Sequence, residues 1–189
     1  MNILRSALAI AISTAALSAH SNESIPTIGL HFGYGFGGET LVDTGEDELK
    51  SGSGLLFGAF TQVPLTSDNS QSLFAKLGMS YMRDSVSATD GDASFDKFPI
   101  DALLMTQVNN LKFGAGLTYH LNPTYEEDSA FGDYEVEFDN ALGFIVEADL
   151  TIPNSSIEFG LRYTKIDYEF NGVEIFNGNG FTLTMGSTF

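Results

Sequence analysis

The sequence predicts an all-β protein, an eight-stranded antiparallel up-and-down transmembrane β-barrel. Eight segments of about ten residues alternate large apolar residues with small or polar ones, which is the period of a β-strand. The connections are long and acidic after the odd-numbered segments and short after the even-numbered ones. An apolar run at the N-terminus has the form of an export signal. Strands of about this length cross a lipid bilayer at a tilt, so these features favour a membrane barrel.

Residues 1–19 are predicted to be a cleaved signal peptide. Arg5 supplies a positive charge, residues 7–17 are apolar or small, and residues 16–19 offer small side chains for cleavage. The run is shorter than the ~20 residues that a spanning helix needs, which disfavours an N-terminal membrane anchor. Residues 20–189 are then a single barrel domain of about 170 residues.

The first predicted strand, Ile28–Gly37, shows the alternation most clearly, because one face is large and apolar and the other is nearly all glycine. The second strand has two candidate outward faces. We prefer the face with Leu55 and Phe57, since the alternative contains Gly58 and Gln62. The other predicted strands cover residues 73–82, 96–106, 111–121, 141–150, 157–164 and 180–189, and the second covers 54–64.

Composition limits the alternatives. A secreted lipocalin-like barrel or a β-sandwich would leave bare glycine faces to water with few charges to cover them, so the soluble reading is disfavoured. The sequence has no cysteine, which excludes disulfides and thiolate metal sites. Its net charge is −17 including Arg5, so the mature chain carries −18, and such acidity argues against a nucleic-acid partner.

The final strand alternates cleanly and ends on an aromatic residue. This ending resembles the terminal strand of bacterial outer-membrane barrels, in which a C-terminal Phe belongs to the signal read by the barrel-insertion machinery. The apolar residues of the closing strand and assembly signal are Phe181, Leu183, Met185 and Phe189.

The segment Phe113–Pro123 resembles the G-x-G-x-x-Y strand common in small outer-membrane barrels. The mature chain as a whole resembles the eight-stranded superfamily that includes the transmembrane domain of outer-membrane protein A. The resemblance implies a porin-like cell-envelope protein in the outer membrane of a Gram-negative bacterium, in contact with lipid and lipopolysaccharide. We expect a monomer.

The predicted interior is charged. An eight-stranded barrel is just wide enough to be filled by side chains, and buried charges must be paired. We therefore expect pairs between Lys76 and Asp101 and between Glu147 and Arg162, and a third pair with Glu158 nearby. The third expected pair is Lys112–Asp149. The charged residues on the inward face are Lys76, Asp101, Lys112, Glu147, Asp149, Glu158 and Arg162, and the inward histidines are His31 and His120. We predict a structural plug; the alternative is a rearrangeable gate in a narrow pore for small solutes.

Enzymatic and metal chemistry have weaker support. A lipid A-modifying enzyme, the remaining alternative, needs a His with a Ser near the extracellular rim, and His120 faces inward without an H-x-S pattern. We therefore predict a protein without enzymatic activity or cofactor. The acidic motifs at 90–92 and 126–128 indicate a solvated anionic surface, or carboxylates that Ca²⁺ or Mg²⁺ bridge to lipopolysaccharide phosphates. The predicted role is structural or in surface interaction.

Overall fold

The computed structural model describes residues 25–45, 47–67, 72–88, 91–129 and 132–189. The predicted signal peptide lies outside these residues. Thirteen β-strands follow one another in the described part of the chain. They are β1 (Thr27–Gly37), β2 (Thr40–Asp43), β3 (Glu48–Lys50), β4 (Gly54–Ser67), β5 (Ser72–Ala88), β6 (Gly91–Val108), β7 (Leu111–Ser129), β8 (Gly132–Glu137), β9 (Ala141–Thr151), β10 (Ile157–Lys165), β11 (Asp167–Phe170), β12 (Val173–Asn177) and β13 (Gly180–Thr188).

Eight of these strands close into an antiparallel ring in the order β1, β4, β5, β6, β7, β9, β10, β13. The seam is the pairing of β13 with β1, which runs from Gly29 opposite Thr188 to Gly37 opposite Gly180. The predicted eight-stranded barrel is therefore confirmed. The described residues contain no helix long and apolar enough to cross a membrane.

The ring is apolar outside and polar inside. On the outer wall Leu55 is 71 % exposed and Phe144 is 68 % exposed, whereas Glu147 and Arg162 are buried in the interior. Water-soluble proteins rarely expose apolar surface that is continuous around the molecule. Lipid is the environment in which this arrangement is stable. The preferred outward face of the second predicted strand is also the observed one.

The long connections contain far more regular structure than the sequence analysis expected. They meet at the upper end of the barrel, the end away from residues 27 and 188. There β2 pairs with β3, and β11 pairs with β12, forming two short hairpins. Strands β5, β6 and β7 continue beyond the ring, and β8 pairs with the extension of β7. The result is a four-stranded projecting sheet, which comprises residues 84–88, 91–95, 125–129 and 132–137.

A buried apolar cluster, here called the cap, lies among these upper elements. Phe95 is its centre, with ring centroids 5.4 Å from Tyr168, 5.7 Å from Phe176 and 6.2 Å from Phe138. The two hairpins contribute Leu49, Tyr168 and Phe176 to it. The polar character of these connections does not predict this cluster, because its apolar residues are far apart in the sequence and come together only in the folded barrel.

Candidate functional site: the charged interior and the projecting sheet

All the charged residues predicted to face inward lie in one connected interior ion-pair network. Arg162 contacts Asp101 at 2.6 Å and Glu147 at 2.5 Å. Glu147 also accepts a hydrogen bond from Lys76 at 2.5 Å, and Lys76 contacts Asp149 at 3.0 Å. The network continues with a 3.8 Å approach of Lys76 to Glu158, which pairs with Lys112 at 2.6 Å.

The pairing differs from the expected one in two places. Lys76 does not pair with Asp101: it reaches Glu147 and Asp149 on β9, three strands away around the ring. Lys112 lies directly opposite Asp149 on the neighbouring strand, yet its ammonium contacts Glu158. The barrel is narrow enough for long side chains to cross it, so neighbouring strands are not the only source of partners. Glu147 and Arg162 do meet, and their backbones are directly paired.

A close approach in the wall makes room for one of these carboxylates. Gly160 lies opposite Asp149, and a Cβ at this position would collide with the Asp149 side chain. Glycine on the inward face therefore accommodates charged side chains from neighbouring strands.

The two interior histidines make neutral hydrogen bonds. His31 Nε2 lies 2.8 Å from the Ser80 hydroxyl and its ring stacks on Phe60. His120 Nδ1 lies 2.6 Å from the hydroxyl of Tyr168 beneath the cap. Both histidines were predicted from parity to face inward, and both are buried inside the ring.

Lys97 is an interior cation that the sequence analysis missed. It is 1 % exposed, it lies over the rings of Phe95 and Tyr168, and its ammonium donates to the carbonyl oxygen of Ser51. Its parity with Asp101, four residues along the same strand, was the signal that would have found it. A cavity of about 20 Å³ lies between Lys97 and Asp101, which is room for about one water molecule.

The projecting sheet carries cross-strand rows of carboxylates. Asp128 lies directly opposite both Asp92 and Asp133, and in the next row Glu126 lies opposite Glu135. Like charges directly opposite one another destabilise a sheet. These residues line a concavity of about 630 Å³ that draws on all four strands.

Tyrosines in the upper elements remain neutral donors. Burial and a hydrogen bond to Glu127 raise the pKa of Tyr125 to about 12. Burial alone raises the pKa of Tyr168 well above its ordinary value. Within the described ranges, no group of three or more His, Asp or Glu side chains is arranged to hold a metal ion. Asp90, part of one predicted acidic motif, lies outside the described residues.

The closing strand presents its apolar side to lipid. Phe181 and Leu183 are exposed on the outer wall, Met185 is half-buried, and Phe189 is exposed at the lower end. The backbone N–H of Phe189 donates to the Ile28 carbonyl at 2.9 Å, which continues the seam by one residue.

The sequence matches the outer membrane protein beta-barrel domain family over residues 6–189. The chain belongs to this family. It is a protein of the bacterial outer membrane, and in such barrels the long connections face outward. The upper end of this outer-membrane barrel, with its cap and projecting sheet, is therefore extracellular.

Two solved structures illustrate the shared fold. Ail, the attachment invasion locus protein of Yersinia pestis, in complex with the heparin analogue sucrose octasulfate, is 11 % identical, with a TM-score of 0.56. Neisserial surface protein A is also 11 % identical, with a TM-score of 0.52. Each alignment covers 87 % of this chain and 97 % of the other. No curated protein sequence matches the chain. At this identity the likeness concerns the fold alone.

Proposed function

We propose that this outer-membrane barrel is closed to solutes and that its projecting sheet binds cationic ligands at the cell surface. The observation that supports this most directly is the set of carboxylate rows around the extracellular concavity. Their mutual repulsion is relieved when cations bind between them, so binding and sheet stability favour each other. This gives the surface-interaction role predicted from the sequence a definite location and ligand charge.

The same carboxylates are candidates for contact with lipopolysaccharide through divalent cations. Ca²⁺ and Mg²⁺ prefer oxygen ligands, and lipid phosphates would complete a coordination shell that the protein provides only in part. The heparin analogue bound by Ail is a polysulfate, and an acidic sheet would repel such a ligand. We therefore propose cations rather than sulfated glycans for this chain.

Two observations support a closed, non-enzymatic barrel over the alternatives. The network and the cap fill the interior with paired side chains, which opposes a narrow pore. His31 and Ser80, a His–Ser pair of the kind that lipid A-modifying chemistry would require, are both buried inside the ring and away from lipid.

Binding of a labelled ten-residue lysine peptide tests the proposal. Replacing the upper row by D92N, D128N and D133N should weaken binding by about tenfold, since each exposed charge contributes about 0.2–1 kcal/mol. A matched variant, D167N with E169Q and E174Q, removes the same charge from the exposed faces of β11 and β12 and should retain affinity within about threefold. Equal losses in the two variants would show a non-specific effect of net charge and refute the assigned face.

A further inference from the structure

The outer wall carries two copies of the same arrangement just below its extracellular rim. Tyr81 precedes Arg83 by two residues on β5, and Tyr163 precedes Lys165 by two residues on β10. Residues two apart on a strand share a face, so each cation lies directly above its tyrosine on the lipid-facing wall.

Each tyrosine also contacts a phenylalanine of the adjacent strand in the same way. The ring centroids of Tyr81 and Phe98 are 5.1 Å apart, and those of Tyr163 and Phe181 are 5.0 Å apart. The exposed fractions match as well, at 37 % and 38 % for the tyrosines and 44 % and 46 % for the phenylalanines. Strands β5 and β10 are the third and seventh of the eight in the ring, so the two copies lie on opposite walls.

These cations are a small and selected subset of the chain's positive charges. The sequence has eight Lys and Arg residues, and Arg5 lies in the predicted signal peptide. Lys50 pairs with Glu48 on a hairpin above the wall. Of the other six, four are buried inside the ring: Lys76, Lys97, Lys112 and Arg162. In the described part of the chain, Arg83 and Lys165 are therefore the cations of the outer wall, and both lie at the extracellular rim. Arg83 also borders the concavity of the projecting sheet.

We propose that Arg83 and Lys165 each bind a phosphate of a lipid A headgroup in the outer leaflet. Tyrosine rings belong at the membrane–water interface, and a Lys or Arg beside them extends its charged end to the headgroup level. Guanidinium and ammonium groups both bind phosphate. Arg83 forms an ion pair with Asp96 at 3.2 Å, and Asp96 also accepts a hydrogen bond from the Tyr81 hydroxyl. Lys165 forms no ion pair with any described residue. Lys165 is thus the tighter of the two sites.

This proposal deepens the lipopolysaccharide contact proposed above, but it uses direct cations in place of divalent bridges. The two can be separated by working in EDTA, which removes bridging ions and leaves Arg83 and Lys165 unaffected. Failure here would leave the cationic-ligand test of the projecting sheet untouched, because that test uses a peptide and substitutes Asp92, Asp128 and Asp133, with Arg83 and Lys165 unchanged.

The experiment is native mass spectrometry of the folded barrel titrated with bis-phosphorylated lipid A in EDTA. The wild-type protein should retain up to two lipids, K165Q should lose the tighter one, and R83Q with K165Q should bind at least tenfold more weakly. K50Q is the matched control and should bind like wild type. Heat-modifiable migration on a gel verifies that each variant is folded.

Two further probes identify the chemistry. Dephosphorylated lipid A should bind no better to wild type than to the double variant, and phosphatidylglycerol should bind more weakly than lipid A. Unchanged lipid A affinity in the double variant would overturn the proposal. Equal binding of dephosphorylated lipid A or of phosphatidylglycerol would overturn the assignment to lipid A phosphate.

Discussion

At the scale of single residues, Glu147 joins the two halves of the interior network. It accepts hydrogen bonds from Lys76 at 2.5 Å and from Nε of Arg162 at 2.6 Å, and all three side chains are buried. Removing one member of a buried pair leaves an uncompensated charge, which costs more than the pair itself contributes. Loss of any one of the cations of the network should therefore destabilise the barrel.

Arg162→Ala should consequently destabilise the barrel by about 3–5 kcal/mol. The substitution removes the cation that contacts both Asp101 and Glu147. Urea unfolding of the lipid-reconstituted protein, followed by gel migration of unboiled samples, measures the change. Arg162→Lys keeps the charge and should lose less. Arg83→Ala removes an exposed pair and should cost about 0–1 kcal/mol; a similar loss for R162A and R83A would contradict a stabilising network.

The sequence was sufficient to place these charges inside and to pair Glu147 with Arg162, but not to pair Lys76 or Lys112 with their carboxylates. Alternation assigns each residue to a face, and parity alone places Lys76 and Asp101 in the interior. Pairing depends on the cross-section of the closed ring, and Lys76 reaches across it to Glu147 and Asp149. The width of the barrel interior follows from the number of strands and their stagger, and the spacing of residues along one strand does not encode it.

At the scale of elements, the cap depends on the close approach of the bases of the two hairpins, β2–β3 and β11–β12. The backbone N–H of Gly38 donates to the Asn179 carbonyl at 2.5 Å, and that of Gly52 donates to the Gly37 carbonyl at 3.2 Å. Ser51 joins the same elements by donating from its hydroxyl to the Asn177 carbonyl at 2.6 Å. The two hairpins are therefore held to each other by backbone groups as well as by the apolar cluster.

Gly38→Ala should loosen the cap. Gly38 has a φ of +79°, and a Cβ there would collide with the backbone nitrogen of Gly52. Amide hydrogen exchange should show protection in β2, β3, β11 and β12 falling by at least about tenfold, or about 1.4 kcal/mol. Gly45→Ala is the matched control, because its φ is +82° but its Cβ would meet no atom within 4 Å. Equal effects of both would mean that backbone strain alone, and not packing, explains the result.

The hairpins also show where sequence patterning reached its limit. Leu49 and Phe95 each stand between polar residues, so no local apolar period predicts their burial. Short alternating stretches do occur in the connections, at residues 134–138 and 173–175, but they do not show which elements they pack against. The apolar residues become a cluster because barrel closure brings the four connections together over one opening. Contacts between elements far apart in sequence decided their burial, and periodicity describes only local structure.

At the scale of the whole molecule, the closed barrel that we propose has two obstructions in series, the cap and the ion-pair network. The cap covers the extracellular opening, and the network fills the section below it with cross-linked side chains. A solute would have to displace both. Because the two obstructions rest on different contacts, one through apolar packing and backbone hydrogen bonds and one through ion pairs, weakening either leaves the other intact.

Wild-type protein, G38A and R162A should therefore all fail to conduct ions across a planar bilayer. The barrel fold itself supplies the reason, since eight strands enclose a section that side chains fill. Each variant should nevertheless show its own loss, of hairpin protection in G38A and of unfolding free energy in R162A, which establishes that the substitution acted. Discrete conductance steps in R162A alone would mean that the network is the gate of a narrow pore. Steps in G38A alone would place the barrier in the cap, and either result would overturn the closed barrel.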